Sequence, residues 1–154
     1  MMNDFSEHDR KYMQLALKQA QLAADSNEVP VGAILAIDNK VIAQDHNRTI
    51  MNFDPAAHAE VLVLRQAATM QRNHRLLNST LYVTLEPCLM CVGAMIQARI
   101  ERLVFAASDP KSGAVGGVMD LSAHPQLNHA FEVKGGLMAA ECAKLLTDFF
   151  TARR

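Results

Sequence analysis

Residues 80–107 read TLYVTLEPCLMCVGAMIQARIERLVFAA. Thr80 to Thr84 alternates in character as a strand does, and Pro87 predicts the opening of a helix that carries Ala94, Met95 and Ile96. Leu103 to Ala107 is a further short apolar run. A strand, a helix and a strand in so short a span predict parallel strands joined by a helical crossover, and with them an α/β fold.

Toward the N-terminus, Met13, Ala16, Leu17, Ala20 and Ala23 recur at helical spacing between Glu7 and Ala24, with Lys11, Gln14, Lys18 and Gln21 between them. That pattern predicts an amphipathic first helix. Two apolar runs, Val31 to Ile37 and Val41 to Ala43, flank Asp38-Asn39 and predict a tight hairpin. Asp54-Pro55 predicts the cap and first turn of a helix reaching about Gln71, with Val61, Leu62, Leu64 and Ala68 inward and His58 and Glu60 near its start. Past residue 107 come a glycine-rich stretch from Gly113 to Gly117, a last strand at Phe131 to Val133 and a closing helix from Met138 to Phe150. With no internal repeat, low-complexity segment or linker, residues 1–154 read as one domain, a size that buries roughly two-thirds of the unfolded surface.

Half the residues are hydrophobic and 20% are charged, the composition of a folded globular chain. The net charge of −1 neither draws nor repels nucleic acid, so an RNA partner would need a local basic patch. Met1 to Glu7 has neither the basic nor the apolar part of a secretory leader, and no apolar run approaches a membrane span. A cytoplasmic protein with no membrane partner is expected. Of the three cysteines, Cys88 and Cys91 form a Cys-x-x-Cys, which in a reducing compartment points to metal or redox chemistry. The Gly113 to Gly117 loop lacks the Lys-Ser/Thr of a phosphate-binding loop, so no nucleotide cofactor is expected.

The chemistry concentrates in His58-Ala59-Glu60 and Pro87-Cys88-Leu89-Met90-Cys91. Cys88 and Cys91, at i and i+3, share a helix face. A helix start also favours their thiolates, since free amides and the dipole stabilise anions there. Structural zinc sites usually have four protein ligands, whereas hydrolytic ones have three and leave a position for water. His58, Cys88 and Cys91 make three, and zinc brings the pKa of water from about 16 to roughly 7. Glu60 is then the candidate proton shuttle. It lies about 200° around a helix from His58, so the two converge only if the first turn is open at its end. Each fragment alone is weak; together they favour a zinc hydrolase over a thioredoxin-like redox pair, which would leave His58 and Glu60 unexplained. Cys142 falls on an apolar helix face and reads as packing, and His8, His74 and His129 read as surface or locally bonded residues.

His-Ala-Glu followed by Pro-Cys-x-x-Cys resembles the signature of the zinc-dependent nucleobase deaminases. Glu28-Val-Pro-Val-Gly32, Asn47-Arg48, Asp54-Pro-Ala-Ala-His-Ala-Glu60, Thr84-Leu-Glu-Pro-Cys-Leu-Met-Cys91 and Asp109-Pro-Lys-Ser-Gly113 together resemble the TadA-type tRNA-specific adenosine deaminases. The resemblance implies a cytidine deaminase-like three-layer α/β/α sandwich with a central mixed sheet, a homodimer, one zinc ion per chain, and conversion of adenosine to inosine at the wobble position of a tRNA anticodon arm. It carries His58, Cys88 and Cys91 over as zinc ligands and Glu60 as the proton shuttle. By the same resemblance Asn47 reads the flipped base, Asp109 contacts the adjoining nucleotide, and Arg48, Lys111, Arg153 and Arg154 lie near the RNA backbone. Thr49 and Ser108 depart from some relatives, which carry proline and arginine there. The rival readings are a deaminase of a free base or nucleoside, a zinc-stabilised RNA-binding subunit without catalysis, and a disulfide oxidoreductase.

Overall fold

The computed structural model describes residues 4–153. Five strands, β1 (Gly32–Ile37), β2 (Lys40–His46), β3 (Ser79–Leu85), β4 (Arg102–Ala107) and β5 (Glu132–Gly135), form one sheet in the order β2-β1-β3-β4-β5. β1 is antiparallel to both neighbours, while β3, β4 and β5 run parallel, so the sheet is mixed. Four helices cover it: α1 (Glu7–Asp25), α2 (Ala59–Gln71), α3 (Leu89–Ala98) and α4 (Ala139–Thr151).

Strand residues alternate between two cores. Leu35, Leu81, Val83, Leu103 and Phe105 pack toward α2 and α3, whereas Ile34, Ala36, Tyr82, Val104 and Ala106 pack toward α1 and α4. Because both faces are covered, these strands are near-continuous apolar runs with no polar alternation. Each aliphatic side chain sealed this way contributes about 1.5 to 3 kcal/mol of burial. The β1–β2 hairpin turns on Asp38 and Asn39, whose φ angles of 50° and 61° are the left-handed pair that a two-residue hairpin needs. Gly32 lets β1 lie against α1, since a methyl group there would stand 2.0 Å from the Ala16 carbonyl oxygen.

α1 is fixed at its start by a reciprocal cap, Ser6 Oγ accepting from the Asp9 amide at 3.0 Å and Asp9 Oδ2 from the Ser6 amide at 3.0 Å. The Asp9 carboxylate then accepts two bonds from the Arg102 guanidinium, at 2.7 and 2.9 Å, and one from the Tyr82 hydroxyl at 2.7 Å. One side chain thereby pins α1 to β3 and β4.

Both helices that carry the sequence motifs begin later than expected. Asp54 does not cap α2: its Oδ1 accepts the Ala56 amide and its carbonyl the Ala57 amide, closing a local turn. His58, extended at φ −73° and ψ 150°, is the cap residue instead. Pro87 likewise precedes α3, whose cap residue is Cys88, because the Pro87 carbonyl is held by the Ala114 amide at 2.9 Å. The strands β2 to β5 extend one to three residues beyond their apolar runs, since backbone pairing continues past the residues that signal burial.

Candidate active site

Three chain segments leave the sheet at the same edge. β3 passes into Glu86-Pro87-Cys88, β4 into Ser108-Asp109, and β2 into Asn47. This is the carboxyl end of the parallel strands, where open α/β sheets form their crevices. The start of α2 meets them there. Val29, Val31, Asn47, Thr49, His58, Glu60, Leu85, Glu86, Cys88, Asp109 and Ser112 line a pocket of about 350 Å³.

His58 Nδ1 lies 3.6 Å from Cys88 Sγ and 3.5 Å from Cys91 Sγ, and the two sulfurs are 3.8 Å apart. Among the described residues these three form the group able to hold a metal ion. The extended backbone of His58 also answers the wheel geometry: lying before the first helical residue, it is not bound to the 100° step that would turn it away from Glu60. Both side chains enter one pocket.

The charges are unevenly tuned. Hydrogen bonds from Cys91 and then from His58 hold the Cys88 thiol down at about 3, against the opposing effect of burial. Cys91, bonded to that thiolate and buried, is pushed far up and keeps its proton. His58 is raised, first by its bond to Cys88. A cation between these atoms would displace the shared proton, because metal binding requires deprotonated ligands. Glu60 is 4% exposed and raised, chiefly by burial, with its own amide and the His58 charge pulling it back. A carboxyl so placed, beside the metal-ligand group, is suited to pass a proton.

The MafB19-like deaminase family model matches residues 7–154. A tRNA-specific adenosine deaminase from Haemophilus influenzae is 49% identical over 150 residues, covering 97% of this chain and 87% of that relative. The chain belongs to the tRNA-specific adenosine deaminase family. A solved structure from work on A-to-I editing by tRNA:A34 deaminases at the wobble position of transfer RNA superposes at a TM-score of 0.86. It has 45% identity and covers 88% of this chain and 99% of that one. The guanine deaminase from Nitrosomonas europaea shares the fold at 24% identity and a TM-score of 0.77, covering 92% of this chain and 84% of that one. The cytidine deaminase-like mixed sheet flanked by helices is therefore the architecture of this deaminase.

Asn47 and Asp109 stand in the pocket of this family member. The Asn47 backbone is clamped on both sides, its amide donating to Val31 O at 3.0 Å and its carbonyl bonded to His46 Nδ1 at 2.9 Å. Among the described residues its carboxamide has no protein partner. Three of the four expected cations are not among the residues lining that pocket. Arg48 Nε is paired with Asp45 at 2.7 Å. Lys111 borders an adjoining cleft lined also by Leu146 and Phe150. Arg153 lies 3.4 Å over the Phe149 ring and donates to Asn27 Oδ1 at 2.8 Å. Arg154 falls outside the described residues.

Two buried carboxylates organise the loops that carry these groups, and sequence reading assigned neither a role. Glu28, 1% exposed, accepts the Ile50 and Met51 amides at 3.2 and 2.6 Å. Glu86, 3% exposed, accepts the Asp109, Val115 and Gly117 amides. The one signal available in the sequence was the Gly113 to Gly117 cluster, in which Gly113 and Gly117 make room for the Glu86 carboxylate.

Proposed function

We propose that this chain is a zinc-dependent hydrolase converting adenosine to inosine at the wobble position of a tRNA anticodon, with His58, Cys88 and Cys91 holding the ion. The carrying observation is the spacing of the three donor atoms beside a buried Glu60. Zinc bonds of about 2.3 Å to sulfur and about 2.0 Å to nitrogen, at tetrahedral angles, set sulfurs about 3.8 Å apart and sulfur and nitrogen about 3.5 Å apart. The observed 3.8, 3.6 and 3.5 Å fit that donor set. The tRNA half of the reading is supported by the relatives' named activity, at 49% identity in the first case.

When bound, zinc supplies Lewis acidity that makes water a nucleophile at neutral pH. The reaction adds one water to adenosine and releases ammonia. Glu60 takes a proton from the attacking water, passes it to the ring nitrogen beside the reacting carbon, and serves the departing amine in turn. Asn47 offers both donor and acceptor to the edge of the base, and its clamped backbone fixes the point from which that carboxamide reaches into the pocket. Asp109 is suited to the neighbouring nucleotide. Arg48 and Arg153 would serve the phosphates after exchanging their present partners, and Lys111 from the adjoining cleft; Arg154 is assigned to the RNA backbone by the resemblance alone.

The active unit we infer is a homodimer in the cytoplasm. Exposed Ile50, Met51 and Phe53 on one loop, with Leu89 and Met90 opening α3, leave apolar surface that a second copy would cover. Reducing conditions would keep the free thiols of Cys88 and Cys91 available to zinc. Among the described residues no helix is long and apolar enough to cross a membrane. Purified protein should convert adenosine to inosine in an anticodon stem-loop with salt-sensitive binding, and sedimentation should give a dimer at micromolar concentration. Preference for free adenosine, cytosine or guanine over the stem-loop would overturn the tRNA assignment.

A further inference from the structure

Glu86 is the most heavily bonded carboxylate around the pocket, yet among the described residues no cation is paired with it. Its Oε1 accepts the Asp109 amide at 2.9 Å, and its Oε2 accepts those of Val115 and Gly117 at 3.1 and 2.8 Å. The Glu86 amide donates to Ala107 O at 2.8 Å, and the next carbonyl, that of Pro87, takes the Ala114 amide at 2.9 Å. Residues 109–117 are thus wound around one side chain that immediately precedes Pro87 and Cys88. Backbone amides converging in this way form an anion cradle.

The glycines follow from that arrangement. A methyl group at Gly113 would stand 2.2 Å from Glu86 Cδ, and one at Gly117 would stand 2.2 Å from the Asp109 carbonyl oxygen and 2.9 Å from Glu86 Oε1. Two residues of the loop, Asp109 and Ser112, are pocket wall. Although Glu86 also borders the pocket, both its oxygens are committed to N–H donors, which leaves it poorly placed to shuttle protons as Glu60 can.

We propose that Glu86 is a positioning residue that sets substrate affinity, by fastening the Asp109–Ser112 wall to the segment that carries Cys88. This rests on the deaminase reading above. Glu86→Gln keeps the side-chain volume but turns an acceptor into a donor facing other donors. Gly113→Ala pushes the loop off the same carboxylate from the other side. Each should raise KM for an anticodon stem-loop about tenfold, with kcat within about threefold and one zinc per chain retained. Because removing the carboxylate frees the space that an alanine methyl needs, Glu86→Ala with Gly113→Ala should bind no worse than Glu86→Ala alone.

Exchange of the Asp109, Val115 and Gly117 amides, read on the metal-loaded protein without substrate, should accelerate about tenfold or more in Glu86→Gln while amides of the central strands keep their protection. Unchanged KM, a loss in kcat alone, lost zinc, additive effects in the double variant, or unchanged amide exchange would each overturn the proposal. Wild-type protein that fails on the stem-loop while the exchange result stands would sink the deaminase reading and leave the fastening of the loop intact.

Discussion

Glu60 and Asp9 are carboxylates sealed almost equally, at 4% and 3% exposure, on opposite faces of one sheet, yet their surroundings drive them apart. At Glu60 burial dominates, and the carboxyl is held above its usual range. At Asp9 burial also raises the group, but the Arg102 guanidinium, the Tyr82 hydroxyl and the Ser6 amide overturn it and hold the carboxyl well below 3.8. Tyr82 answers by rising, through burial first and then its bond to Asp9. Burial alone therefore says little about a carboxylate's task. A saturated set of donors marks the structural acid, and an unsaturated one beside metal-ligand chemistry marks the candidate catalyst.

The comparison breaks most visibly on the Glu60 side. Stripping metal with a strong chelator should abolish turnover, and adding back one zinc per chain should restore it; activity surviving in protein shown metal-free by elemental analysis would defeat the hydrolytic mechanism. Glu60→Ala should keep zinc and fold while losing at least about 10²-fold in deamination rate. Near-full activity would assign the proton transfer to another group.

On the Asp9 side the loss should be one of stability. Asp9→Ala leaves the largely buried Arg102 with only its longer 3.9 Å contact to the exposed Glu132 and should cost about 3 kcal/mol in urea unfolding, with little change in turnover at low temperature. Glu60→Gln should change stability at neutral pH far less than Asp9→Ala does, because among the described residues no guanidinium clamps the carboxyl it replaces. Acid sharpens the contrast. The folded carboxyl of Asp9 titrates below its unfolded counterpart near 3.8, so its charge contributes stability above that value and loses it as pH falls toward the folded one. The stability gap between wild type and Asp9→Asn should thus be flat from about pH 5 to 7 and shrink below about pH 4. A gap that widens on acidification would reverse the sign of the assignment. The smallest effect belongs to the exposed Lys144–Asp148 pair on α4, where Lys144→Ala should change stability by no more than about 0.5 kcal/mol.

Much of the site was legible because its chemistry is local. Two sulfurs one helical turn apart, and an imidazole two residues from a carboxylate, are patterns in the chain itself, and the helices and strands around them announce themselves by period. Helix starts were less legible: Asp54 and Pro87 have the composition of caps, but competing bonds to Ala56 and Ala114 moved α2 and α3 downstream. That shift left His58 and Cys88 as extended cap residues.

By itself the sequence determined the order of elements, the deaminase resemblance, and the residue types able to hold zinc and move a proton. Only the tertiary structure decided which of the 16 acidic residues do something else. Asp9 meets Arg102 across 93 positions and Tyr82 across 73, and Glu86 meets Val115 and Gly117 across 29 and 31. No periodicity encodes such separations; they exist because the sheet brings distant backbone amides and one guanidinium around a buried anion that water no longer reaches.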